Sequence, residues 1–169
     1  MDVFDAIRTI LAVRNYRPDP IPDDVVRRIV EAGRLSGSAG NGQPWHFVVV
    51  RDPETIRELA RLVRTGPYVA GAPLVVIVAV EKTRWGLSDA SRAIQSMLLT
   101  AWGEGVGSNW AGGPGTLDGV KPLLGIPDDF DVVAALPFGH PAEGVTGGRK
   151  NRKPLREVAH RERFGEPFE

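Results

Sequence analysis

The chain contains no cysteine. Disulfides, thiolate metal sites, iron–sulfur ligation and a cysteine nucleophile are therefore excluded. Histidine occurs only at His46, His140 and His160, which argues against an all-histidine metal site. Neither sign of charge is in excess: 21 Lys+Arg balance 21 Asp+Glu, for a net charge of +0 and a pI of about 6.9. No global field exists to draw in nucleic acid or an anionic membrane. Lysine is scarce, at 82, 121, 150 and 153, and the preference for arginine reads first as a coding bias. The longest apolar run, Leu74 to Val80, is far short of the ~20 residues that span a bilayer. The amphipathic start after Met1-Asp2 lacks a basic stretch followed by an apolar run, so no targeting segment is expected and the chain is expected to be cytoplasmic. Common catalytic signatures are missing too: there is no G-x-S-x-G, H-E-x-x-H or G-x-x-x-x-G-K-[ST]. Gly103-Glu-Gly-Val-Gly107 has the wrong spacing for a dinucleotide fingerprint and reads as a helix stop. If the chain is an enzyme, a bound cofactor is expected to carry the chemistry.

What is present is globular. The 169 residues are 42% hydrophobic and 25% charged, proportions that suit one domain over 1–169. Phe4, Ile7, Ile10 and Leu11 recur at helical spacing behind Asp2, a plausible N-cap. Three prolines in Arg17–Pro22 forbid helix there. A second helix follows with Asp23 and Asp24 in its first turn and Val25, Val26, Ile29 and Val30 on its apolar face. Trp45–Val50 reads as a strand, and Asp52-Pro53-Glu54 opens a third helix buried through Ile56, Leu59, Leu62 and Val63. Leu74–Val80 reads as a strand apolar on both faces. A long helix over Ser88–Glu104 turns Ile94, Met97, Leu98, Ala101 and Trp102 inward. Ser108–Ala111 is a short strand, Val120–Leu124 a short helix before Gly125, and Val132–Phe138 the last core strand. Gly139–Gly148 reads as a flexible loop. Two helices in succession at the start argue against a doubly wound sheet and for an α+β layer.

Three stretches could carry chemistry. Arg14-Asn15-Tyr16-Arg17 offers two cations and an amide to an anion or a heterocycle edge, or its arginines merely complement a helix dipole. Ser38-Ala-Gly-Asn41-Gly-Gln43-Pro-Trp45 combines small residues with two bidentate amides. It is either a ligand loop or an ordinary loop before an edge strand. Arg149-Lys150-Asn151-Arg152-Lys153 places four cations in five residues, which suits a phosphate or makes a solvated basic turn.

Taken in order, these stretches resemble the nitroreductase family of FMN-dependent oxidoreductases over nearly the whole chain. Arg14–Arg17 with Pro20-Ile21-Pro22 resembles the opening arginine motif, and Ser38–Phe47 is the most specific match. Asp89–Gly107 resembles the long central helix, and Ser108-Asn-Trp-Ala-Gly-Gly113 the strand and loop that pass the flavin. Leu124–Pro127 and Leu136–Pro141 resemble the short helix end and the last strand. Lys150–Leu155 is similar to the C-terminal phosphate motif. The resemblance implies an α+β fold of three layers, α/β/α, with a small mixed sheet surrounded by helices. It implies a homodimer with FMN at the subunit interface. Arg14, Asn15 and Arg17 would contact FMN, with Arg17 near the N1/O2 edge, where negative charge gathers on reduction. Lys150 and Arg152 would bind the phosphate. Gly37, Ser38, Ala39, Asn41 and Gln43 would contact the FMN of the other subunit. Trp110, Ala111, Gly112 and Gly113 would lie along the ring near N5. No protein residue is assigned as catalytic and no metal is expected. NADH or NADPH would reduce the flavin, and a nitroaromatic, quinone or related electron-poor acceptor would reoxidise it in a ping-pong cycle.

The chain departs from the family pattern in places. Val13 stands where an arginine is common. Thr65–Pro73 lacks the Asn and Lys that some longer members place at the pyrimidine edge, although Arg64 is near. Glu81–Leu87 leaves no room for helices inserted over the flavin, so a lid would come from Lys82–Trp85 or the Gly112–Gly115 loop. Trp85 and Trp110 could stack on an aromatic acceptor or simply pack. Two other readings follow: a specialised branch (a flavin-dependent dehalogenase or flavin-degrading oxygenase), or a flavin carrier without turnover. A nucleic-acid module on Arg149–Lys153 is disfavoured, because no aromatics interleave with its cations.

Overall fold

The structure, a computed structural model, describes residues 1–113, 115–143 and 150–168. Part of the expected Gly139–Gly148 loop, Arg149 of the basic cluster and Pro114 of the expected lid lie outside them. The first helix, α1 (Val3–Thr9), starts where the Asp2 carboxylate accepts the Asp5 amide at 2.8 Å. Its expected apolar stripe does not face the core. Phe4 is 72% exposed, and Ala6 is the helix residue that is buried. Two turns give α1 one narrow contact face, and Ala6 occupies it.

Helices α2 (Asp23–Arg34) and α4 (Gly86–Gly103) pack together on one face of the sheet. Gly33 makes the approach possible, since a Cβ there would sit 2.9 Å from Met97 and Phe47 atoms. Helix α3 (Pro53–Leu62) has Pro53 in its first turn and Asp52 as its cap, and with α5 (Val120–Leu124) it covers the other face. A short α6 (Leu155–Val158) follows near the C-terminus.

The strands are β1 (Trp45–Val50), β2 (Leu74–Glu81), β3 (Gly107–Ser108) and β4 (Phe130–Gly139), in spatial order β1-β2-β4-β3. Because side chains alternate along a strand, β2 sends Leu74, Val76, Val78 and Val80 to the α2/α4 core and Val75 and Ile77 to the α3/α5 core. That two-sided burial is the reason β2 reads as a continuous apolar run, and it gives the three layers. The sheet is less mixed than expected. All four strands pair antiparallel, and among the described residues the parallel pairing is the isolated bridge Ala12–Ser108. The expected strand Ser108–Ala111 is also shorter. Pro137 has no N–H to return to Asn109, so the ladder lapses there and resumes only at the Ala111–Ala135 bridge. Among the described residues no helix is long and apolar enough to cross a membrane.

Candidate flavin site

The segment after α1 is threaded along the β3 edge. Ala12 bridges Ser108, and the Val13 amide donates to the Ser108 carbonyl at 2.9 Å. Val13 is 1% exposed, and a Cβ on Gly107 would meet its Cγ2 at 2.6 Å. The position where relatives were expected to carry arginine is thus a packing position in this chain. Farther on, the Asn15 carbonyl accepts the Ala142 amide at 3.0 Å, and the Arg17 amide donates to the His140 carbonyl at 2.9 Å. Arg14–Arg17 is therefore an extended strip pinned along its length. Tyr16 is its inward residue. Its hydroxyl donates to the Val13 carbonyl at 2.6 Å, and burial holds the phenol well above its usual range, with Tyr68 adding to the effect. Arg14, Asn15 and Arg17 are exposed. The Arg14 guanidinium lies 5.7 Å from the Tyr68 ring centroid, and the Tyr68 hydroxyl accepts a hydrogen bond from Asn109. Arg17 approaches Asp19 at 3.3 Å, an exposed pair of little energetic weight.

Beside this strip is a cleft of about 340 Å³. Lys150 and Arg152 line it together with Ser108, Asn109 and Trp110. Gln95 and Leu98 of α4 complete the wall. Lys150 donates to the Ile7 carbonyl near the end of α1. Burial, and then the neighbouring Arg152 charge, holds its ammonium below the usual lysine range. Among the described residues neither cation makes an ion pair with a carboxylate, so both are open to an anion. Gln95 and Leu98 were missed in the sequence. The available signal was Gln95, which with Ser96 interrupts the apolar stretch Ala93–Leu99 of the long helix.

The glycine turn after Trp110 is built tightly. Gly112 has φ +76°, and a Cβ there would lie 2.7 Å from Leu117 Cδ1. The amides of this turn already have partners. Ala111 donates to the Ala135 carbonyl at 2.9 Å, Gly112 to the Thr65 hydroxyl at 3.1 Å and Gly113 to the Thr116 hydroxyl at 2.9 Å. The two glycine amides are held by rotatable hydroxyls, which can yield to a ligand, whereas Ala111 is held by the sheet. The Trp110 indole donates to the Gly112 carbonyl at 3.1 Å. Arg64 lines a different cleft, of about 540 Å³, with Thr65, Gly115, Thr116, Asp118 and Gly119. Trp85 is half exposed at the start of α4, with the Arg84 guanidinium 5.0 Å from its ring centroid.

The third group stands apart. Ala39–Asn41 is a single 3₁₀ turn between Ser38 and Gly42. Gly40, Asn41 and Gln43 all have positive φ, at 57°, 57° and 50°. Asn tolerates that region; Gln does so less readily, and such strain of order 1 kcal/mol persists where surrounding contacts enforce it. Ser38 Oγ accepts the Gln43 amide at 2.9 Å, and the Ala39 amide donates to Asp89 in the first turn of α4. The cleft residues Gln95 and Leu98 lie two turns along that helix on a different face. Within one chain, then, Gly37, Ser38, Ala39, Asn41 and Gln43 do not join Lys150 and Arg152.

Comparison with known proteins fits this geometry. The nitroreductase family model matches residues 8–81 and 65–140. A Methanothermobacter thermautotrophicus protein, provisionally named an NADH dehydrogenase/NAD(P)H nitroreductase, is 31% identical over 151 residues, covering 85% of this chain and 79% of the relative. A Bacteroides fragilis nitroreductase solved with bound FMN superposes with a TM-score of 0.79 at 28% identity, covering 90% of this chain and 95% of that one. The Vibrio harveyi NADPH:FMN oxidoreductase in complex with NAD+ gives 0.84 at 25% identity, covering 97% and 78%. Both the sequence match and the three-layer fold lead to one assignment: this chain belongs to the nitroreductase family.

Proposed function

We propose that the chain is an FMN-dependent NAD(P)H oxidoreductase acting as a homodimer. The observation that carries this reading is the cleft in which Lys150 and Arg152 meet the Ser108–Trp110 edge. The donor set suits FMN. Two cations with no carboxylate partner among the described residues fit a phosphate, and the strip with Arg14 and Arg17, which runs on from the Ser108 edge, can border a planar heterocycle. FMN, when bound, supplies the two-electron chemistry, taking hydride from NADH or NADPH and passing electrons to an acceptor.

Their placement supports the following tasks. Lys150 and Arg152 hold the phosphate end. Arg17, and Arg14 oriented on Tyr68, supply positive charge where the ring gains electrons. Gly112 and Gly113 can offer their amides once the Thr65 and Thr116 hydroxyls turn away. Trp110 forms the aromatic side of the cleft. The separation of the Ser38–Gln43 loop from the cleft supports the dimer, since a second chain would have to supply that loop to the same flavin. Nitroaromatics, quinones and related electron-poor molecules are the proposed acceptors, used in a ping-pong cycle after NAD(P)+ leaves, with no side chain assigned as a catalytic acid and water supplying the protons their reduction takes up.

A visible absorption spectrum tests this first. The purified protein is expected to show oxidised-flavin bands, to release FMN on heat denaturation, and to bleach when NADH or NADPH is added. A protein that takes up no added FMN overturns the reading. FMN uptake without bleaching would convert the enzyme to a carrier.

A further inference from the structure

Asp89 is a buried carboxylate without a task so far. It is 2% exposed, the one fully buried ionisable side chain among the described residues. Leaving a charge in the interior is costly unless it is paired and hydrogen-bonded. Its contacts show what it is paired with. The Ala39 amide donates to both carboxylate oxygens, at 3.1 and 3.2 Å. Arg92 Nη1, one turn on, lies 3.3 Å from the same carboxylate, and the same nitrogen donates to the Gly37 carbonyl at 3.5 Å. The acid also sits in the first turn of α4, where the helix dipole favours negative charge.

Outside its helix the Asp89 carboxylate has one partner among the described residues, the Ala39 amide, and Arg92 extends the contact to the Gly37 carbonyl of the same loop. That loop carries three positive-φ residues in four positions, Gly40, Asn41 and Gln43, two of them not glycine. A backbone bent in this way does not hold its shape by local preference. Its internal ties are Ser38 Oγ on the Gln43 amide, the Asn41 carbonyl on the Gln43 side-chain amide, and the backbone bonds from Asn41 to Ser38 and from Gly42 to Ala39. Among the described residues its side-chain ties to the rest of the fold are Asp89 on the Ala39 amide, Arg92 on the Gly37 carbonyl and the adjoining hydroxyl pair Ser36–Ser96 at 2.8 Å. We infer that Asp89 is a positioning residue: from the first turn of α4 it fixes the strained Ser38–Gln43 loop in the shape that contacts FMN. It touches no cofactor itself. The inference rests on the proposed assignment of this loop to the flavin of the partner subunit. Asp89 would thus govern binding at the site of the other chain.

The test compares Asp89→Ala, Asp89→Asn and the control Ile94→Val. Ile94 is fully buried on the same helix and loosens the core without touching the loop. Two quantities are read on the full-length protein: amide hydrogen exchange of the 36–43 segment, and FMN affinity by titration. Asp89→Ala is expected to speed exchange of the segment and to weaken FMN binding at least about tenfold, the effect of losing a hydrogen bond to a charged group. Asp89→Asn keeps an acceptor for Ala39 and is expected to recover most of both. Ile94→Val is expected to change neither, whatever it does to the melting temperature. Unchanged exchange in Asp89→Ala overturns the inference, and so does faster exchange with unchanged FMN affinity. If wild-type protein binds no FMN, the functional proposal fails; hydrogen exchange then still decides whether Asp89 holds the loop.

Discussion

Arg152 and Lys150 carry charge into a cleft that has no acid of its own among the described residues. If that charge meets a phosphate, Arg152→Ala removes a charge-assisted contact worth about 1.5–3 kcal/mol, and FMN affinity should fall by about 10- to 150-fold in a fluorescence titration. An unchanged affinity would place the phosphate elsewhere. Lys150 adds a pH dependence. Burial and Arg152 lower its pKa below the ordinary 10.5, so its charge is lost at a lower pH than that of a surface lysine. A depressed base binds its anion fully below its pKa and loses it as pH rises through that pKa. FMN affinity should therefore begin to fall below pH 10.5, and Lys150→Arg, which stays charged, should remove the part of the fall that Lys150 causes. Gly112 is a separate case. Its φ of +76° and the 2.7 Å approach of Leu117 leave no place for a methyl group. Gly112→Ala combines a left-handed penalty with overpacking, for a loss of about 2–4 kcal/mol in denaturant unfolding. A loss under about 0.5 kcal/mol, the size of an ordinary surface change, would mean that the turn relaxes.

Helix α3 shows how an element can be read in advance. Asp52-Pro53 announces its start, and the stripe Ile56, Leu59 and Val63 is buried as expected, with Leu62 only partly covered. The Asp52 carboxylate accepts the Thr55 amide at 2.8 Å and its hydroxyl at 2.7 Å, contacts that hold its pKa below 3.8. An acid with a depressed folded pKa contributes stability above its unfolded value and loses it as pH falls through the folded value. The melting temperatures of wild type and Asp52→Asn should differ by a constant amount above pH 5 and converge as pH drops below 3.8, since Asn caps without the charge. A gap that persists at pH 2 would assign the difference to the amide and not to the charge. Other elements were less legible. β1 matches its expected span, β2 overran its own by one residue and β4 by three, because period-two patterning marks strand cores better than strand ends. β3 ended early for a reason that needs the pairing register, the missing N–H of Pro137. In α1 the spacing marked a helix but overshot it, since Ile10 and Leu11 lie beyond its end at Thr9, and the burial it implied did not follow. An apolar stripe predicts a buried face, yet the sequence does not say whether this chain or another covers it. Phe4, at 72% exposed, has no cover within the described chain.

At the level of the whole molecule, the site was legible as motifs and not as one place. The basic stretch and the Ser108–Gly113 edge converge on one cleft, while the Ser38–Gln43 loop is fixed at the start of α4 on another face. No reading of spacing could separate these groups, because the separation depends on how α4 crosses the sheet. It acquires meaning in a two-fold dimer, where each flavin would take its phosphate contacts from one chain and its loop contacts from the other. That arrangement makes a quantitative prediction. Arg152→Ala damages the phosphate side, and Asn41→Gly damages the loop side while keeping the positive φ. Either variant alone is defective at both sites of its dimer. After unfolding and refolding an equimolar mixture, about half of the dimers are hybrids, and each hybrid has one site with both sides intact and one with both damaged. About a quarter of all sites should then bind FMN at a concentration where neither parent does, and NAD(P)H-dependent reductase activity should reappear in the same proportion. Refolding each variant separately and combining them afterwards without exchange should restore nothing. If the co-refolded mixture also stays inactive while wild type refolds, the two groups serve the same chain's site or no common site, and the shared-site dimer is wrong.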